Sequence, residues 1–131
     1  MRVLALDYGK ARCGCALSDP TGTIATPIEV IENPTGKRGM AALSALVAER
    51  EVQRVVVGLP LSLRGEETEQ TRETRMFAER LARRLGQQTP VEMYDERLTT
   101  RLAQRTQTAS SSEDSRAAAH LLESWLQSKS S

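Results

Sequence analysis

The stretch Val3-Leu4-Ala5-Leu6-Asp7-Tyr8-Gly9 decides the fold. Its apolar residues run without interruption and stop at an acidic residue, which a Tyr8-Gly9 turn signal follows. A short, continuous apolar run with such a boundary predicts a strand that is buried on both faces of a sheet. We therefore expect this strand near the centre of the sheet, with Asp7 at its carboxyl end.

The segments that follow predict an antiparallel meander and then alternating helices and strands. Further strands are expected at Cys13 to Leu17, Ile24 to Ile31, Val55 to Gly58 and Pro90 to Tyr94. Helices are expected at Met40 to Glu51, Thr68 to Leu85 and Glu113 to Leu126, with a short helix from Thr100 and a polar hinge at Ser110 to Ser112. The order βββαβαβα predicts an α/β fold, a three-layer α/β/α domain with a five-stranded mixed sheet.

The composition is that of a single intracellular globular domain. The 131 residues suit one domain over 1–131, and 27% charged with 39% hydrophobic residues is ordinary for a soluble protein. No apolar run is long enough for a signal peptide or a membrane span, so we expect a cytoplasmic protein without a membrane partner. Cys13 and Cys15 are expected to be small buried hydrophobes in a reducing compartment.

Charge gives a weak indication of the partner. The net charge is only +1, but lysine contributes just three of the 18 basic residues. Arginine offers planar, bidentate donors that suit phosphate, which tilts the expectation toward a polyanion such as RNA or DNA. An aromatic content of 3% argues against wide base-stacking platforms.

Three acidic residues are candidates for a catalytic metal site, each with a structural alternative. Asp7 ends the first strand, where the ligand crevice of an open α/β sheet lies, but it could instead cap the Tyr8-Gly9 turn. Glu96 follows the last strand, where a solvated loop is the alternative. Asp114 shares a helical stripe with the apolar residues Ala117, Ala118, Leu121, Leu122 and Trp125, although it also suits the first turn of a helix.

Carboxylates without any other catalytic set indicate a hard divalent cation. Mg²⁺ or Mn²⁺ takes oxygen ligands, commonly a few carboxylates with water and substrate phosphate. Two such ions can activate a water and stabilise the leaving oxygen during phosphodiester hydrolysis. Asp7, Glu96 and Asp114 are therefore expected to be both the metal ligands and the catalytic residues.

Several motifs resemble those of the YqgF/RuvX family, a Holliday-junction-resolvase-like group regarded as nucleases of pre-16S rRNA. They are Asp7-Tyr8-Gly9, Arg12-Cys13-Gly14 with Ser18-Asp19, Gly58-Leu59-Pro60, Asp95-Glu96-Arg97-Leu98-Thr99-Thr100, and Asp114 with Ala117-Ala118. The resemblance covers nearly the whole chain in order. It implies an RNase H-like fold, a divalent metal and phosphodiester cleavage, and its acidic positions fall on Asp7, Glu96 and Asp114.

The residues expected to bind nucleic acid are Gly9, Lys10, Arg12, Arg64 and Arg97. Gly9 permits close backbone approach, Arg97 is a candidate phosphate contact, and Arg64 lies in a loop that leaves the active edge of the sheet. Departures from the family pattern are Ala11 in place of Lys, Thr68 in place of Gly, and a shortened segment between Thr100 and Asp114. These departures affect substrate capture more than cleavage.

The expected function is metal-dependent hydrolysis of phosphodiester bonds in RNA or DNA, with pre-16S rRNA 5′-end processing favoured. Junction resolution, an exonuclease or endonuclease role in DNA repair, and a non-catalytic nucleic-acid-binding module are the alternatives. An actin-like sugar kinase also carries a D-x-G strand, but it needs two such domains. The sequence leaves open RNA against DNA, endonuclease against exonuclease action, the metal, and monomer against homodimer.

Overall fold

The structure is a computed structural model that describes residues 1–98 and 113–130. Within these ranges the chain forms one five-stranded sheet, three α-helices and a single 3-10 turn. The strands are β1 (Val3–Tyr8), β2 (Arg12–Ser18), β3 (Ala25–Glu32), β4 (Arg54–Leu59) and β5 (Val91–Asp95). The helices are α1 (Lys37–Glu49), α2 (Glu69–Leu85) and α3 (Glu113–Ser130), and the 3-10 turn spans Glu96–Leu98.

The sheet has the strand order β3-β2-β1-β4-β5 and is mixed, as predicted. β1 pairs antiparallel with β2, and β2 pairs antiparallel with β3, which gives the expected meander. β1 and β4 are parallel, as are β4 and β5. The carboxyl ends of β1, β4 and β5 therefore share one edge with the start of β2. This edge is called the carboxyl edge below.

The helices form the two outer layers of a three-layer structure. α1 and α2 cover one face, where Leu43 and Phe77 pack with Leu4 and Leu6 of β1. α3 covers the other face and packs on Val3, Ala5, Ala16 and Val56. Because side chains alternate along a strand, β1 contributes to both cores, which is why its apolar run is continuous. The predicted central, doubly buried strand is confirmed.

The ends of α1 and α2 are explained by the residues that cap these helices. Thr68 and Thr71 form a capping box that starts α2, and Gly86 with φ 78° ends it, close to the predicted limits. α1 begins at Lys37, earlier than the predicted Met40, because its N-cap is Gly36 without any side-chain cap bond to signal it. The predicted short helix from Thr100 and the predicted hinge at Ser110 to Ser112 lie outside the described residues.

Two further expectations concern the environment of the chain. Both Cys13 and Cys15 are free and buried, as predicted. Among the described helices, none combines the length and the apolar character that crossing a membrane would require.

Candidate active site

The three predicted carboxylates come from three separate elements at the carboxyl edge. Asp7 lies near the end of β1, Glu96 opens the 3-10 turn directly after β5, and Asp114 is in the first turn of α3. The side chains of Asp7 and Glu96 share a hydrogen bond, and the charge of Asp114 acts on Asp7. The fold therefore gathers residues that are distant in the sequence.

Partial burial raises the pKa of both carboxyl groups in this pair, Asp7 and Glu96. Burial raises the pKa of Asp7, the hydrogen bond with Glu96 lowers it, and the negative charge of Asp114 raises it further. Burial also raises the pKa of Glu96, which together with the charge and hydrogen bond of Asp7 brings it to about 7. Two carboxyl groups that share a partly desolvated position cannot both ionise without cost, so the metal-free pair retains a proton to higher pH than separate carboxyl groups would.

Two glycines allow the carboxylates to approach, and the sequence patterns had given neither of them a role. Gly14 of β2 lies opposite Asp7, and a Cβ there would stand 2.0 Å from the backbone oxygen of Asp114. A Cβ on Gly58 of β4 would stand 2.7 Å from Oε1 of Glu96. Gly14 therefore lets the start of α3 approach the sheet closely, and Gly58 leaves room for the Glu96 side chain.

α3 is rotated slightly from the phase that the sequence predicts. Ala118, Leu121, Leu122 and Trp125 are buried as expected, but Ala117 is only half-buried. Ser115 is buried instead, and its Oγ donates a 2.7 Å hydrogen bond to the carbonyl of Ile28 in β3. This bond fixes the helix phase. In this phase Asp114 lies at the rim of the apolar stripe, and its side chain is 39% exposed.

Arg12, which was expected to bind nucleic acid, is also a partner of the acidic group. Its Nε lies 3.3 Å from Oδ2 of Asp114, and its side chain is 62% exposed. The sequence did not suggest this ion pair, because Arg12 and Asp114 meet only when α3 docks beside β2. An exposed guanidinium here neutralises part of the local negative charge.

Arg97 is engaged within the protein. Its guanidinium pairs with Asp95 at the end of β5, with Nη2 and Oδ2 2.6 Å apart. It also donates from Nη1 to the carbonyl of Leu63 at 3.4 Å. Arg97 thus joins the end of β5 to the loop after β4, and its phosphate-binding role remains a prediction.

The remaining predicted nucleic-acid contacts lie at or near the same edge. Gly9 donates its N–H to the carbonyl of Arg12 at 2.9 Å, which closes the turn between β1 and β2. Lys10 is exposed in that turn, and Arg64 is exposed in the loop after β4. Basic groups therefore lie on more than one side of the carboxylates.

The donor set suits a hard divalent cation. Within residues 1–98 and 113–130, no three His, Cys, Asp or Glu side chains lie close enough together to hold a metal ion as they stand. However, Asp7 is hydrogen-bonded to Glu96 and lies within the electrostatic reach of Asp114, and all three residues offer only carboxylate oxygens. Displacing one shared proton would leave oxygen ligands of the kind that Mg²⁺ and Mn²⁺ prefer.

The fold is that of an RNase H-like domain. The RuvX family, described as Holliday junction resolvase, matches residues 1–128. The chain belongs to this family.

Curated relatives agree with this assignment. The chain is 45% identical over 92 residues to a protein of Anaeromyxobacter sp. named "Putative pre-16S rRNA nuclease", a match covering 70% of this chain and 66% of that protein. A protein of the same name from Sulfurihydrogenibium sp. is 42% identical, over 66% of this chain and 58% of the relative. The chain matches between about half and two thirds of the length of the curated relatives that it resembles.

Solved structures confirm the fold. Thermus thermophilus RuvC in complex with a Holliday junction substrate superposes with a TM-score of 0.71 at 14% identity, covering 99% of this chain and 96% of that one. The fowlpox virus resolvase, bound to Holliday junction DNA, gives a TM-score of 0.55 at 11% identity, covering 98% and 99%. At such low identity the likeness concerns the fold alone.

Proposed function

We propose that this chain is a divalent-metal-dependent nuclease that hydrolyses phosphodiester bonds in nucleic acid. The observation that carries the proposal is the half-buried, hydrogen-bonded pair of Asp7 and Glu96 with Asp114 beside it. A purely structural role does not account for these acidic side chains at one edge of a sheet. Buried carboxylates without a cation are costly, and functional sites are where such costs are retained.

Asp7, Glu96 and Asp114 would hold Mg²⁺ or Mn²⁺ at the carboxyl edge. When bound, such ions lower the pKa of a water and polarise the scissile phosphate. The chain itself contributes the position of the carboxylates on three elements and a Glu96 whose pKa of about 7 allows it to give up its proton near neutrality. Arg12, Lys10 and Arg64 supply positive charge that attracts and orients the phosphate backbone.

The names of the relatives support RNA as the substrate, in particular the precursor of 16S rRNA. The family description and the RuvC-like fold support a second candidate, cleavage of branched DNA. We favour RNA because the relatives at more than 40% identity carry the rRNA name, whereas the resolvase structures resemble this chain in fold alone. The free, buried cysteines suit a cytoplasmic location.

The test is cleavage of end-labelled substrates by the purified protein. An RNA carrying the 5′ leader of 16S rRNA, a single-stranded DNA and a four-way DNA junction would each be incubated with Mg²⁺, with Mn²⁺ or with excess chelator. We expect cleavage of the RNA that requires metal and is abolished by Asp7→Asn. Cutting confined to the junction would favour the second candidate, and undiminished cutting in chelator would reject the metal-dependent mechanism.

A non-catalytic binding module remains the competing outcome. It predicts that the parent protein binds metal and nucleic acid but forms no product, so that the parent and Asp7→Asn do not differ in cleavage. Mapping product ends on the RNA would further separate internal cleavage from stepwise trimming.

A further inference from the structure

The loop between β4 and α2, residues 60–67, is a rigid turn at the carboxyl edge and is called the edge loop below. Leu61 and Glu67 form a bridge across its base. Its tip is closed by the Gly65 N–H donating to the carbonyl of Ser62 at 2.8 Å, and by the Ser62 N–H donating to the carbonyl of Glu66 at 3.0 Å. The loop is therefore held in one shape.

Both ends of this loop are also fixed from outside. Thr71 of α2 donates its hydroxyl to the carbonyl of Pro60, and Arg75 of α2 pairs with Glu67 at 3.0 Å. Arg97 lies against the tip, because its Nη1 would be 3.0 Å from a Cβ on Gly65. Gly65 has φ +84°, a conformation that L side chains rarely adopt. These contacts restrain both the ends and the tip of the edge loop.

This rigid loop presents an apolar side chain to solvent. Leu63 at its tip is 95% exposed, more than any other large hydrophobic residue among those that the structure describes. Single exposed leucines are common on protein surfaces and need no explanation by themselves. Here, however, Leu63 is followed by the exposed Arg64, and its own carbonyl accepts from Arg97.

The contact through Arg97 ties this apolar tip to the carboxylates. Arg97 forms an ion pair with Asp95, which is the residue immediately before Glu96. The 54% exposed Leu98 lies on the other side of Arg97 in the chain. An exposed leucine thus stands next to an arginine both in the edge loop and in the segment after Glu96, and Arg97 joins the two segments. Nucleic acids offer partners for both kinds of side chain, namely apolar base faces and anionic phosphates.

We propose that Leu63 is a wedge that inserts between bases of the substrate beside the cleavage site, while Arg64 contacts the adjoining phosphate. Apolar side chains that enter base steps unstack them, which is easiest where the strand is already unpaired. The inference rests on the proposed nuclease function and deepens it. It assigns as substrate a strand at the boundary between duplex and single-stranded nucleic acid, in preference to continuous duplex.

The test uses Asp7→Asn protein, so that bound substrate is not cut. The probe is an RNA hairpin with a single-stranded tail and 2-aminopurine at the boundary, in the presence of Mg²⁺. Insertion of a side chain unstacks this base and raises its fluorescence. We expect Asp7→Asn to raise the fluorescence, and the added change Leu63→Ser to remove the rise and weaken binding about tenfold, as the loss of one buried leucine side chain implies.

Two further variants make the result specific. Leu63→Phe should retain the fluorescence rise, because a larger apolar side chain still separates bases. Ile24→Ser is the matched control, since Ile24 is 60% exposed just before β3, at the opposite edge of the sheet. Unchanged fluorescence and affinity in Leu63→Ser, or an equal loss in Ile24→Ser, would overturn the wedge, including the case in which Leu63 serves a protein partner.

The outcomes also separate this inference from the proposed function. If the parent cuts RNA and Leu63→Ser alters neither fluorescence nor affinity, the wedge is rejected while the nuclease stands. If the fluorescence depends on Leu63 but the parent cuts nothing with any metal, insertion of Leu63 between bases stands, and the nuclease together with the cleavage site beside Leu63 is rejected.

Discussion

Arg12 at the start of β2 forms an ion pair with Asp114 at the start of α3, with Nε and Oδ2 3.3 Å apart. Among the described residues, Arg12 is the basic residue that forms an ion pair with this acidic group, and its guanidinium competes with any metal ion for the same carboxylate oxygen. Since both side chains are exposed by more than a third, the pair itself contributes no more than about 1 kcal/mol to stability.

Arg12→Ala should therefore strengthen metal binding, by up to about fivefold, because removing the competing charge leaves Asp114 free. Calorimetric titration of the chelator-treated protein with Mn²⁺ measures this directly. Arg83→Ala, in the last turn of α2, is the control and should leave the affinity unchanged. Weaker Mn²⁺ binding in Arg12→Ala would show instead that Arg12 organises the ligands.

Gly58→Ala should reduce cleavage without unfolding the protein. The new Cβ would lie 2.7 Å from Oε1 and 3.0 Å from Cγ of Glu96, so this side chain has to move. A displacement of about 1 Å near reacting groups can cost about 100-fold in rate. Single-turnover cleavage and a thermal melt are the measurements, and full activity would mean that Glu96 does not need its present position.

Gly14→Ala provides the contrasting case. Its Cβ would meet backbone of Asp114 at 2.0 Å, and backbone cannot yield as a side-chain tip does. We expect a fall in melting temperature of several degrees, about what the loss of 1–3 kcal/mol by overpacking gives in a domain of this size. A melting temperature equal to that of the parent would contradict the close docking of α3 on β2.

Asp114→Asn should abolish cleavage while changing the stability of the metal-free protein by less than about 1 kcal/mol. The variant loses the Arg12 pair but also relieves repulsion with Asp7, and these effects oppose each other. It should also lose the thermal stabilisation that Mn²⁺ gives the parent. Glu113→Gln, at the preceding exposed position, is the matched control and should still cut. An active, destabilised Asp114→Asn would leave this residue only a role at the helix start.

The stability of the metal-free protein should fall as the pH rises from about 4.5 toward 7. The folded state holds the Glu96 proton up to a pKa of about 7, whereas the unfolded value is near 4.5, so between these values the folded state binds more protons. This contribution is complete below the unfolded pKa and is lost through the folded one. Denaturant unfolding of chelator-treated protein across this range measures it, and Glu96→Gln should flatten the curve.

Arg64→Ala should weaken RNA binding and reduce its salt dependence by about one unit of log–log slope, the value for one lost phosphate contact at most. Arg64 is exposed in the edge loop, which leaves its guanidinium accessible to a phosphate. Fluorescence anisotropy at several salt concentrations gives the slope. Arg84→Ala, at the far end of α2, is the control, and equal slopes for all three proteins would move the binding surface elsewhere.

The sheet could be predicted because only one environment, burial on both faces, suits the sequence of its central strand. Val3 to Leu6 alternate between two apolar cores, and only a doubly covered strand tolerates four apolar residues in a row. The exact phase of α3 could not be predicted in this way. It depends on the bond from Ser115 to Ile28, which joins residues 87 positions apart and leaves no local pattern.

The candidate site shows the same division. Asp7, Glu96 and Asp114 stand out in the sequence because each is an acid where a strand ends or a helix starts. Other features of the site become visible only after folding. They are the ion pair of Arg12 with Asp114, the ion pair of Arg97 with Asp95, and the space that Gly14 and Gly58 provide. A glycine that makes room for another element looks, in sequence, like any other small residue.

The docking of α3 on Gly14 has a consequence for the order of events during synthesis. A ribosome makes Asp7 and Glu96 before it makes Asp114, so the partly emerged chain carries two of the three acids and lacks the third. If the three act together, a protein proposed to cut RNA is harmless to the transcript and ribosome that produce it until α3 has emerged and packed against the sheet. The architecture postpones the hazard until Asp114 has been added.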